Sequence, residues 1–319
     1  MKMPQMPRTL MGKSFLGAAG LTATVFAASH AGNFLLEQSS PTPEEFAKSQ
    51  GFSYTPETQK TLARYNNVRV LEKNSFSESL YKIINRPSGD ARDGVAYHVS
   101  PSFFARLLGS NPVIVMPNFK DGSFADQIQS EHNKPAARSA DADRIHFTFV
   151  LFHEGGHDEI RQELGDHARR LPQQLVEILC DRAAMKTLSR EYGEAGKNHV
   201  LAFRGTNPFD DVHDTTLALL REEAKDAKTE LEILSAEDES RLPFLGVVRK
   251  CKERASSTPE KDGQDNLDRI YSCIKDRFSG SATAAPSANP NLRNRALTFM
   301  AGYEFLFRGQ NTTPFPSSP

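Results

Sequence analysis

The sequence predicts a mostly helical α+β fold with a small sheet. Two short apolar runs, VAYHV at 95–99 and PVIVMP at 112–117, read as strands bounded by turn residues. From about residue 143 onward, apolar side chains recur at helical spacing, with glycine and proline at the breaks. The chain holds no tryptophan and 21 phenylalanines, so phenylalanine is the expected filler of the core.

The elements follow in chain order. Lys2, Arg8 and Lys13 precede an apolar run from Phe15 to Ala28, and small residues follow to Ala31. This is the layout of a secretory leader cut after Ala31. Uncut, residues 14–31 would be a membrane anchor, although the run is shorter than the roughly 20 apolar residues of a comfortable span. The expectation is export to a periplasmic or extracellular space, with membrane association through this segment as the alternative.

Residues 32–94 are expected to mix helix and strand. The stretch from 32 to about 60 reads as a tether, with one helix from Pro43 capped by Thr42 and Glu45. A strand at 68–71 and a helix near 77–85 come next, then the turn-rich stretch 87–94. The central unit spans 95–235. Pro112 and Pro117 bracket its second strand and suggest a short or edge strand. Residues 120–142 read as a polar surface connection. Helices are expected over 143–165, capped by Asp143, over 172–193, with Pro172 in the first turn, and after Asp214. Residues 236–308 form a helical C-terminal part with linkers, and 309–319 a loose tail.

At 319 residues the chain can bury a sizeable core. A formal net charge of -1 gives no field for nucleic acid, and no basic stripe or nucleotide-binding glycine loop appears. Three cysteines make no disulfide framework: Cys251 and Cys273 pair if the compartment is oxidising, and are otherwise reduced core residues. The oligomeric state is not legible.

The chemistry concentrates in HFTFVLFHEGGHDEIRQELGD, residues 146–166. At 3.6 residues per turn, His153 and His157 stand on one helix face and can reach one zinc ion. Glu154, rotated about 100° from His153, lies beside such a metal rather than on it, where a general base belongs. Phenylalanines and aliphatic residues surround the motif, so the helix should be buried. Gly155 and Gly156 oppose this at about 1 kcal/mol each. They fit if neighbouring structure presses close there or if substrate must approach. A catalytic zinc wants a third protein ligand and an open position. Glu177 on the next helix is the candidate, with Asp181 one turn on to accept the other ring N–H of a ligand histidine.

The pairing of His153-Glu154-Gly155-Gly156-His157 with EILCDRAA at 177–184 resembles the gluzincin metallopeptidases over about residues 143–192. The resemblance implies a zincin-like domain, His153, His157 and Glu177 as zinc ligands, Glu154 as base and Asp181 behind the ligands. It implies zinc-dependent hydrolysis of a peptide or protein substrate. The further histidine and glycine of metzincins are absent. Gluzincins add an oxyanion donor; His213 ranks first, with Tyr192 and His199 behind it. Related enzymes hold substrate along an edge strand, a role open to 111–117. Two alternatives remain: an exported zinc hydrolase acting on a non-peptide or cell-wall amide, and a non-catalytic envelope binding or structural protein with an accidental motif.

Overall fold

The computed structural model describes residues 39–85, 96–99, 111–122, 140–206, 215–220, 243–256, 266–279 and 290–308. The chain is mostly helical with a small three-stranded sheet. Helix α1 (Pro43–Ser49) starts from the expected box: Thr42 accepts from the Glu45 N–H, and the Glu45 carboxylate accepts from the Thr42 N–H. Helix α2 (Pro56–Leu62) follows and runs into a short 3-10 turn ending at Tyr65. This stretch is not the tether the composition suggests. Phe46, Phe52, Tyr54, Leu62 and Tyr65 are all buried, and Phe52 stacks on Phe147 with centroids 4.5 Å apart. Spaced aromatic side chains among prolines and polar residues hid a packed segment.

Strand β1 (Arg69–Glu72), helix α3 (Phe76–Asn85), strand β2 (Tyr97–Val99) and strand β3 (Val113–Met116) form the next layer. The sheet order is β1-β3-β2, with β1 parallel and β2 antiparallel to β3. The edge expectation for 113–116 is therefore corrected: β3 is central and buried along its whole length. Both prolines stand just outside the ladder and remove no bond from it, and the Pro112 carbonyl accepts from the Arg69 N–H at 2.9 Å. Among the described residues the end strand on that side is β2. Its alternation sends Tyr97 to the α3 face, with Leu71, Tyr81, Val113 and Val115, and His98 to the opposite face. Val70, Ile114 and Met116 share that second face and join the core around α4.

Helix α4 (Ala140–Leu164) begins three residues before the expected cap, because Ala140 and the acidic first turn extend it. Gly165 then takes φ 56 and opens a 3-10 turn. Helix α5 (Gln173–Tyr192) matches expectation, with Pro172 at its N-cap. Helix α6 (Glu194–Gly205) was not expected; Gly193, Gly196 and Gly205 concealed its pattern. Helix α7 (Thr216–Leu220) is the described part of the third predicted helix. A helix over 243–256 (α8), α9 (Asn266–Ser279) and α10 (Pro290–Arg308) are the remaining helices among the described residues. These last three share a core with Ala202 of α6, and Cys251 and Cys273 are disulfide-bonded there. The close fit of α10 to α6 depends on Gly302, where a Cβ would lie 3.0 Å from the Ala202 backbone.

The membrane-anchored expectation is also corrected. Among the described residues no helix is long and apolar enough to cross a membrane. The 25 residues of α4 have the length, but carry Asp141, Asp143, Glu154, Asp158, Glu159 and Glu163. The leader itself, residues 1–31, lies outside the described residues, as does the 309–319 tail.

Candidate metal centre

Helices α4 and α5 cross where neither carries bulk. A Cβ on Gly156 would meet the Cys180 backbone at 3.3 Å, and one on Gly155 would lie 2.6 Å from the Tyr65 ring. The glycine pair is thus explained by close approach: one residue admits α5, the other the ring of Tyr65. The crossing brings His153 and His157 of α4 against Glu177 of α5. Their ligand atoms all lie within 4.8 Å of one another. His153 Nε2 is 3.1 Å from Glu177 Oε2, and His157 Nε2 is 3.7 Å from Glu177 Oε1.

Two imidazole nitrogens and a carboxylate oxygen are the donor set of a transition-metal site. Metal bonds of about 2.0 to 2.1 Å in a tetrahedron separate ligand atoms by roughly 3.3 Å. The two histidine–glutamate separations bracket that value, and all three ligand atoms lie within 4.8 Å of one another, so the three side chains could hold a small divalent ion once they draw together. His153 and Glu177 are buried, whereas the His157 side chain is 18% exposed.

The second nitrogen of His153 is held as the sequence suggested: Nδ1 lies 2.8 Å from Asp181 Oδ1. Asp181 is fully buried and does more than that. Arg204 of α6 donates to both of its oxygens, Nε to Oδ2 at 2.8 Å and Nη2 to Oδ1 at 2.7 Å, a two-pronged grip. Thr215, just before α7, donates to Oδ2 at 2.7 Å. The guanidinium itself sits against the rings of Phe149 and Phe203. Burial works against charge on Asp181, but Arg204 and His153 outweigh it and hold the carboxyl well below the usual carboxylate range. Burial likewise opposes charge on His153, and Asp181 with Glu177 overcomes it, lifting the ring to about 10. Asp181 and Glu177 thus favour positive charge on the His153 ring.

Glu154 is half-buried directly after His153. Cys180 at the helix crossing is a buried thiol pushed up by burial and then by Glu177, Asp181 and Glu154, which makes it inert packing. Of the oxyanion candidates, the two among the described residues, Tyr192 and His199, do not join the triad. The Tyr192 hydroxyl lies 2.9 Å from Thr148 Oγ1, fifteen residues or about 22 Å along α5 from Glu177. His199 is fully buried, 2.8 Å from His146. His213 lies outside the described residues. A groove of about 880 Å³ along α4 and α5, lined by Arg64, Ile160, Leu164, Lys186 and Arg190 among others, contains none of the three ligand residues.

Sequence reasoning missed Arg204 and His98. Arg204 closes the run VLAFRG, and an arginine among buried apolar residues signals a buried partner without naming it. His98 of β2 stacks on His157, with centroids 5.8 Å apart and planes at 23°. Burial, reinforced by His157, Arg161 and His153, keeps it well below the ordinary histidine range and so neutral.

No family model, no curated protein and no solved structure matches this chain. The functional reading therefore rests on the site's own chemistry.

Proposed function

We propose that the protein is a zinc-dependent peptide hydrolase of zincin type, with His153, His157 and Glu177 as zinc ligands and Glu154 as general base. One observation carries the reading: a His-His-Glu donor set sits at a helix crossing with Asp181 behind it, and a half-buried carboxylate stands next to the first ligand. Zinc is the metal that suits two imidazoles and one carboxylate with a position left open. The sequence motif resembles that of gluzincins, and the roles the resemblance implies for these residues support the reading.

Zinc, when bound, supplies a Lewis acid that polarises a carbonyl and acidifies water. Glu154 accepts a proton from the attacking water and returns it to the departing amine. Asp181 holds the His153 N–H, fixing the tautomer that presents Nε2 to the metal. Arg204 and Thr215 hold Asp181 in turn. Burial of His153 and Glu177 keeps water from competing for their ligand atoms, and the partly exposed His157 marks the side from which substrate enters.

A peptide is favoured over other amides by β2. It ends the described sheet beside His157, and an extended chain can add to such a strand through backbone hydrogen bonds. The test is Glu154→Gln beside wild type, each assayed for zinc and for cleavage of unfolded protein and of cell-wall fragments. The expected result is one zinc per chain in both and peptide cleavage by wild type alone, with a loss of at least about 100-fold in the variant. Equal cleavage by both would remove Glu154 as base, and cleavage of cell-wall amides alone would change the substrate class.

A further inference from the structure

His153 and His157 both need a fixed ring to offer a nitrogen to one ion. For His153 the restraint is the 2.8 Å contact of Nδ1 with Asp181. For His157 the prominent neighbours are rings. His153 meets it edge-on, at 5.0 Å and 89°, and His98 lies nearly parallel to it, at 5.8 Å and 23°. Offset stacking at such separations is an attractive geometry that resists rotation of either ring out of plane.

His98 occupies that place because of the strand it belongs to. Its backbone is registered against Ile114 on central β3. Its neighbour Tyr97 faces the other way and is pinned, donating its hydroxyl to Glu78 Oε1 at 2.8 Å. Glu78 is itself held by the Asn74 N–H at 2.6 Å and by Lys82 at 2.7 Å. With alternation of period two, an anchored Tyr97 obliges His98 to face α4. The fixed contacts of α3 thus reach the metal centre through a single strand.

We propose that His98 is a positioning residue for the metal centre: by stacking on His157 it sets the orientation of the second ligand ring, as Asp181 does for the first. The flat face of the ring acts, and its nitrogens are not ligands. The proposal rests on the three-residue metal centre described above, but not on any particular reaction.

The experiment strips the full-length protein of metal and titrates it with zinc against a chromophoric chelator, then with cobalt(II), whose visible bands report ligand geometry. Wild type is compared with His98→Ala, His98→Phe and His98→Leu. His98→Ala is expected to weaken zinc about tenfold, within the range seen when partners of metal ligands are removed, and to broaden the cobalt bands. His98→Phe restores affinity to within about twofold, because a flat ring suffices, and His98→Leu, similar in bulk without a flat face, does not. Unaltered zinc affinity and cobalt spectrum in His98→Ala would overturn the proposal. So would a His98→Phe as weak as His98→Ala, which would mean that a ring nitrogen acts, or a His98→Leu as good as His98→Phe, which would mean that only bulk matters. If His98→Ala fails to fold, the Phe and Leu pair decides alone. Wild type that binds no metal would instead defeat the metal centre itself and this proposal with it, an outcome distinct from all the others.

Discussion

Around α4, α5 and α6 the interior holds His153, Glu177, Asp181 and Arg204, each less than a tenth exposed. Around α8, α9 and α10 it holds Phe244, Val248, Ile274, Phe299 and Leu306, closed by the Cys251–Cys273 bond, with Glu304 meeting Tyr271 and Lys275. The second arrangement is mainly what stability selects, apolar area and a covalent loop closure, although Arg295 and Glu304 are also buried on α10. The first is costly, since each ion must be taken from water and repaid by geometry. Charge kept inside at that cost is best explained by a task, and the residues concerned are the ones that could hold a metal ion and those that orient them.

Substitutions in the two regions should accordingly fail in different ways. The largest effect is expected from Asp181→Ala, which strips His153 of its partner and leaves Arg204 buried against apolar rings. A loss of about 3 to 5 kcal/mol in urea unfolding is expected, together with zinc affinity lower by about 10- to 100-fold. A variant with wild-type stability would mean that Arg204 finds another acceptor and that the network is not the keystone of this region.

Next comes Cys273→Ser. The bond closes a loop with a sequence separation of 22. Its removal should lower stability by about 3 kcal/mol without altering zinc affinity, measured by the same titration. A fall in zinc affinity would show that the two regions are not separable in the way their composition suggests. Gly155→Ala should follow. Helix propensity gains about 1 kcal/mol, yet the new Cβ would lie 2.6 Å from the buried Tyr65 ring. A net loss of about 1 to 2 kcal/mol is expected, and a gain in thermal midpoint would show that Tyr65 yields easily.

The smallest effect concerns Glu78, behind the sheet. Burial raises its carboxyl, but Lys82, Tyr97 and the Asn74 N–H together hold it below the ordinary range. A depressed carboxylate contributes stability above its unfolded pKa and loses it as pH falls through the folded value. Glu78→Gln should therefore cost about 1 kcal/mol at neutral pH and progressively less in acid. Unfolding curves between neutral and acidic pH read this directly, and a difference that widened on acidification would reverse the sign.

Much of this was legible in the sequence, and the reasons are specific. The spacing of His153 and His157, and of Glu177 and Asp181, follows from the helical repeat, so reading two helices sufficed to put each pair on one face, while the crossing that joins the pairs is a tertiary contact. The capping box at Thr42 and the two C-terminal helices α9 and α10 were readable for the same local reasons. What was not legible depends on tertiary contact. Phe46 and Phe52 pack against Phe147, about a hundred residues away, and Phe52 also against Phe119. Arg204 gained its meaning from Asp181, and His98 from His157. Gly155 and Gly156 looked like a fault in a helix until Tyr65 and Cys180 were seen against them. Of the short or edge strand expected at 113–116, the short length holds and the edge position does not, because prolines at both ends of β3 mark where a ladder stops and not whether it is central.

The most direct test of the account is a zinc titration of metal-stripped wild type beside His157→Ala and Glu177→Ala, with bound metal counted by mass spectrometry. The account predicts one zinc per wild-type chain and loss of tight binding in both variants, with each chain still folded. Wild type that takes up no zinc, or a Glu177→Ala protein that binds it as tightly as wild type, would contradict it.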